Sequence, residues 1–200
     1  MFDSEKAGTG DLWLLDLTTR VAKPLTPGAP DELHGRWSPD GRWIYFSRRD
    51  KSSFDIWKIP SGGGAAVRVT AHGGLGPYPS PDNKWVYYGK DLRRPTELWR
   101  VPVQGGREES VLDGLSYMYN FAVGQKRIYF VGVHGPVQFL SLGPSARVFL
   151  ESYEPATGKR TRLYQLEKPF WFGVALSPDE RWLAYSVIDE QDTDLMVVEP

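Results

Sequence analysis

Short runs of branched and aromatic residues, set off by turn-forming residues, recur along this chain almost from end to end. Trp43-Ile44-Tyr45-Phe46-Ser47 and Trp85-Val86-Tyr87-Tyr88 have the side chains that fit a pleated, half-buried surface. A second kind of run is acidic, aliphatic, then aromatic: Asp55-Ile56-Trp57-Lys58-Ile59 and Glu97-Leu98-Trp99-Arg100-Val101. Each is followed by a lighter strand, Ala66-Val67-Arg68-Val69-Thr70 and Ser110-Val111-Leu112. The glycine-rich hairpins Ser61-Gly62-Gly63-Gly64 and Gln104-Gly105-Gly106 join the two. No segment carries a 3.6-residue apolar period over ten or more positions, so the chain reads as all β.

The strands repeat as a unit. Ser38-Pro39-Asp40-Gly41-Arg42-Trp43 returns as Ser80-Pro81-Asp82-Asn83-Lys84-Trp85 and as Ser177-Pro178-Asp179-Glu180-Arg181-Trp182. A worn copy stands at Ala122-Val123-Gly124-Gln125-Lys126-Arg127. The interval is 42 residues from 40 to 82 and again from 82 to 124, then 55 from 124 to 179. A period of that length filled with short strands predicts a β-propeller of four-stranded antiparallel blades. In the turn, proline presets φ, Asp suits the third position, and Gly accepts a left-handed fourth. Asn83 is the next best residue there. Glu180 fits worse and Gly124-Gln125 abandons the pattern, so those two turns are expected to differ in shape.

Phasing gives a half blade at 11–26, full blades at 32–70, 74–112 and 116–166, and three strands of a last blade at 170–199. The third full blade is longer by 13 residues, an insertion at about 131–149 between its second and third strands. A propeller closes by sharing one blade between the chain ends, yet both ends here carry a third strand. The expectation is a fragment of a larger ring, the other option being a small ring with an irregular seam.

Composition narrows the possibilities. Hydrophobic residues at 40%, with eight Trp, ten Tyr and nine Phe, can build a substantial core. A net charge of −1 without any block of like charges gives no electrostatic support for nucleic acid or an anionic membrane surface as partner. The absence of cysteine removes disulfides, thiolate metal sites and cysteine nucleophiles. No apolar run is long enough to cross a bilayer. Met1 to Lys6 lacks the apolar region of a signal peptide, so any export signal would lie outside this chain.

The Ser-Pro-Asp-Gly-(Arg/Lys)-Trp turn, the Asp-(Ile/Leu)-Trp strand and the Gly-Gly hairpin together resemble the WD-repeat-like propellers of the TolB type, over about residues 11 to 199. The resemblance implies a bacterial protein-interaction domain, periplasmic or otherwise extracytoplasmic, or the sensor half of a regulator or kinase. Blades with strands like Leu98-Trp99-Arg100-Val101-Pro102 look most like the regulator versions. Related propellers cover the active site of prolyl oligopeptidase-type serine peptidases, which is the alternative role. Fold alone does not decide between them.

Candidate chemistry is sparse. No Gly-x-Ser-x-Gly elbow is present; Gly114-Leu115-Ser116-Tyr117-Met118 lacks the final Gly. His34, His72 and His134 share no ligand-like spacing. The acidic stretch Asp189 to Asp194 lacks the alternation of a calcium loop and reads as a solvated connection. No catalytic residue, metal or cofactor is therefore expected. Asp40, Asp82 and Asp179 recur once per blade as turn-formers, and Trp43, Trp85 and Trp182 follow them as strand residues. Trp13, Trp57 and Trp99 recur as packing between blades. What varies between blades is the segment entering each first strand. His34, Arg36, Tyr78, Tyr117, Tyr119 and Trp171 are expected to ring one mouth of the central channel and hold a protein or peptide partner.

Overall fold

In the computed structural model, residues 1–4, 10–28, 30–135, 137–138, 141–142, 146–189 and 192–198 are described, with side chains except at 137–142, Trp171 and 189–198. The chain divides into two compact units, Met1–Asp91 with Arg100–Glu109, and Leu92–Trp99 with Ser110–Pro200. Every regular element among the described residues is a strand.

Unit one begins with β1 (Phe2–Ser4), β2 (Asp11–Leu15) and β3 (Ala22–Pro24), an antiparallel sheet with β2 in the middle. Phe2–Ser4 thus adds a strand ahead of the segment read as a half blade, with Phe2 stacked on Trp13. A complete blade follows: β4 (Glu32–Trp37), β5 (Trp43–Asp50), β6 (Ser53–Pro60) and β7 (Val67–Arg68), hydrogen-bonded in that order. Leu12, Leu25, Ile44, Phe46 and Ile59 form the buried cluster between these sheets, and Trp57 packs against it. Sequestering such side chains from water is the main stabilising term of the unit. Next come β8 (Leu75–Pro79) and its partner β9 (Trp85–Gly89). The strands β10 (Thr96–Pro102) and β11 (Glu109–Leu115) each carry the chain from one unit to the other.

Unit two contains β12 (Phe121–Val123), β13 (Ile128–His134), β14 (Val137–Gln138), β15 (Ser141–Leu142), β16 (Arg147–Glu154) and β17 (Lys159–Leu166). The long strands pair β12 to β13, β13 to β16, and β16 to β17. Of the stretch read as an insertion at about 131–149, residues 131–134 belong to β13 and 147–149 to β16; the connection between them includes the β14–β15 ladder, and residues 136, 139–140 and 143–145 fall outside the described ones. β18 (Phe170–Leu176), β19 (Leu183–Asp189) and β20 (Asp192–Val198) form the last antiparallel sheet. The acidic side chains from Asp189 to Asp194 lie outside the described ones.

The Ser-Pro-Asp turns are built alike. The serine hydroxyl donates to the aspartate at 2.5, 2.6 and 2.5 Å for Ser38–Asp40, Ser80–Asp82 and Ser177–Asp179. The same hydroxyl accepts the N–H of Trp43, Trp85 or Trp182 at 2.9, 3.0 and 3.0 Å. The fourth residue donates its N–H to the serine carbonyl at 2.9 Å in all three. Its φ is +69° at Gly41, +55° at Asn83 and +56° at Glu180. The expected change of shape therefore holds for the worn turn, where Gly124 N–H donates to the Arg127 carbonyl, and fails for Glu180. A left-handed non-glycine residue costs on the order of 1–2 kcal/mol. The Glu180 carboxylate offsets this by accepting the Gln125 N–H of the preceding turn at 2.6 Å. Asn83 makes the corresponding link, donating to Asp40 at 3.1 Å.

The hydroxyl bond, followed by backbone N–H donors, holds Asp40 and Asp179 below the usual carboxylate pKa. Asp82 is depressed for the same first reason. A depressed folded pKa contributes stability that is complete above the ordinary value of 3.8 and is lost as pH falls through the folded value. Ser80→Ala should therefore move the Asp82 midpoint up toward 3.8, read by carboxyl-carbon NMR titration, and leave Asp179 unmoved.

Candidate functional site

Three segments of unit two converge on one aromatic cluster. Tyr117 and Tyr119 stand in the turn between β11 and β12, Phe172 lies in β18, and Arg94 is just ahead of β10. The rings of Tyr117 and Tyr119 meet edge-on with centroids 5.5 Å apart, and Tyr117 lies 4.7 Å from Phe172. Phe172 also meets Tyr119 edge-on at 6.5 Å. The Arg94 guanidinium sits 4.0 Å over Tyr117 and 5.2 Å from the centre of Phe172. All four residues are half-buried. Aromatic pairs in such geometries, with a cation on a ring face, are each worth about 0.5–1.5 kcal/mol beyond simple burial.

Asn120 fixes the geometry. It is 1% exposed, donates from Nδ2 to Ser116 Oγ at 2.9 Å and accepts the Gly173 N–H at 2.8 Å. Gly173, at φ +103°, lies in the bulge of β18 between Phe170 and Val174. Bulges re-aim the side chains beside them. Here the bulge and the Asn120 clamp join the Tyr117 turn to the strand that carries Phe172. The side chain of Trp171, an expected member of the site, lies outside the described ones.

Unit one holds the other three expected residues. Exposed Arg36 places its guanidinium 4.5 Å from the ring centre of half-buried Tyr78. His34 occupies the bulge of β4 at φ +62°, where the equivalent bulge of β8 has Gly76 at +61°. Its backbone N–H donates to Asp3 Oδ2 at 3.0 Å, and burial, opposed by the Asp3 charge, pushes its imidazole pKa down. The structure thus brings Arg36 to Tyr78 in one unit and Tyr117 to Tyr119 in the other. Sequence reasoning missed Arg94 and also Phe172, whose aromatic character was the available signal.

A second set of polar residues is internal. Glu151, fully buried on β16, binds His134 Nε2 at 2.5 Å and Arg160 Nε, with Arg162 Nε at 3.8 Å. Arg160 also lies 4.9 Å over Phe130, and a Cβ on Gly132 would come within 2.9 Å of its Nη2. On β6, Asp55 is 2% exposed and binds Arg68 at 2.6 Å, the Gly73 N–H at 3.0 Å and Thr70 Oγ1 at 3.4 Å. On β2, Asp11 is 1% exposed and neither oxygen has a hydrogen-bond partner among the described residues. Arg68 pairs in register with Trp57, and Pro24 takes that place opposite Trp13. Burial, reinforced by the Asp11 charge, raises the pKa of nearby Glu32 despite the bonds to Thr26 and Arg48. Among the described residues no three His, Asp or Glu gather as a metal site, and no helix is long and apolar enough to cross a membrane.

No protein-family model matches the chain. An uncharacterised protein of Agrobacterium fabrum, Atu1656, is 35% identical over 72 residues, which is 35% of this chain and 25% of that protein. The crystal structure of TolB from Acinetobacter baumannii superposes with a TM-score of 0.78 at 16% identity, covering 98% of this chain and 48% of TolB. A puromycin-hydrolysing peptidase of Mycobacterium tuberculosis superposes over 89% of this chain and 29% of its own length, with a TM-score of 0.61 at 15% identity. The chain has the all-β fold of a TolB-like propeller, in part, and spans about half the length of that TolB structure.

Proposed function

We propose that this chain is a non-catalytic propeller module that binds a protein or peptide partner outside the cytoplasm. The observation that carries it is the half-buried cluster of Tyr117, Tyr119 and Phe172 with Arg94 stacked on it, residue types that anchor protein interfaces. The cluster is held in advance by Asn120, so little ordering cost opposes association. Arg36 on Tyr78 is a smaller patch of like composition in unit one.

A displayed library of random peptides, selected on the wild-type chain, tests the reading. Tyr117→Ala and Phe172→Ala are expected to weaken the selected peptides by roughly tenfold to a hundredfold, in variants that circular dichroism shows to be folded. Peptides that bind both variants as well as wild type would remove the site. The likeness to the puromycin-hydrolysing peptidase favours a second reading, an accessory propeller that gates a hydrolase. A hydrolase domain encoded in the same reading frame would establish it.

A further inference from the structure

We infer that the Arg94 cluster recognises a carboxylate: a peptide segment in which an acidic side chain neighbours an aromatic one. The inference rests on the binding reading above and names the chemistry of the ligand. Arg94 lies over Tyr117 and beside Phe172, so its flat face is covered while the edge of the guanidinium keeps its N–H donors. Apart from Arg36 on Tyr78, arginines elsewhere in the chain that stack on rings also meet an acid. Arg48 lies over Trp57 and bonds Glu32, Arg100 lies over Trp85 and bonds Glu109, and Arg160 lies over Phe130 and bonds Glu151. Arg94 has the stacked face and, among the described residues, no carboxylate.

A planar fork already immobilised on two rings is suited to two parallel N–H···O bonds to a carboxylate. Ring stacking lowers the entropy lost when those bonds form, because the arginine rotamer is set beforehand. Half-buried Tyr119 and Phe172 place aromatic surface beside the fork, which suits an aromatic residue of the ligand. Lysine in place of Arg94 would keep the charge and lose the fork, so charge alone is distinguishable from bidentate recognition.

The test is fluorescence polarisation with two labelled peptides, Gly-Ser-Glu-Tyr-Glu-Ser-Gly and its Gln-Tyr-Gln counterpart, on the full chain at low and at physiological salt. The glutamate peptide is expected to bind roughly tenfold tighter than the glutamine peptide, the increment of one charge-assisted pair. Arg94→Gln should erase that difference, and Arg94→Lys should restore only part of it. Tyr117→Ala should weaken both peptides, and circular dichroism confirms that each variant is folded. Equal affinity of wild type for the two peptides, with both lost in Tyr117→Ala, would overturn carboxylate recognition and leave the binding reading standing. Failure of both peptides to bind wild type would also overturn the inference, while peptides selected from the random library keep the broader reading separately testable.

Discussion

Arg160→Met should cost about 3–5 kcal/mol, because it strands a carboxylate that the fold has sealed from water. Glu151 is 0% exposed, and its Oε2 is bound by Arg160 Nε. His134 and the more distant Arg162 both approach Oε1 and cannot replace that contact. The sign of the second step is the stronger test. Replacing Glu151 with Leu in the Arg160→Met background removes the stranded charge, and most of the lost stability should return. Urea denaturation of the two single variants and the double variant measures the coupling. Additive losses would mean that the two side chains act independently.

A second contrast sets two equivalent aspartates against each other. Asp55→Ala removes the acceptor for Arg68, the Gly73 N–H and the Thr70 hydroxyl, and should lower stability by about 2–3 kcal/mol. Asp11→Ala should instead raise stability by about 1–2 kcal/mol, since a buried carboxylate with no partner among the described residues is itself a cost. The same chemical change then has opposite signs in neighbouring sheets, measurable by the urea midpoint. A loss of stability in Asp11→Ala would show that its oxygens are satisfied in solution.

The regular part of the fold was legible because it is local. The branched and aromatic runs became β5, β9 and β19, and the Ser-Pro-Asp turns follow from proline, a short acid and a side-chain hydroxyl within five residues. Glu180 was misjudged because its left-handed backbone is stabilised by Gln125, 55 positions away, and no local propensity records that bond. The repeated acid ahead of each tryptophan was read as part of a strand signature. Its burial against arginine depends on a cross-strand partner, seen in Asp55 with Arg68. In the candidate site, the variable segments pointed to Tyr117 and Tyr119. Arg94 was missed because a charged loop residue looks solvated until the rings beneath it are known.

The left-handed turn residues have a consequence for how the blades are ordered. Asn83 offers an amide to the carboxylate of Asp40, whereas Glu180 offers a carboxylate to the backbone N–H of Gln125. These couplings are matched pairs, not copies of one bond. Exchange Asn83 for Glu, and two acids face each other across the Asp40 turn; exchange Glu180 for Gly, and the Gln125 N–H loses its acceptor. Asn83 and Glu180 are therefore each fitted to the turn one repeat earlier. A chain assembled by shuffling these repeats would carry the right strands in a sequence of mismatched tips.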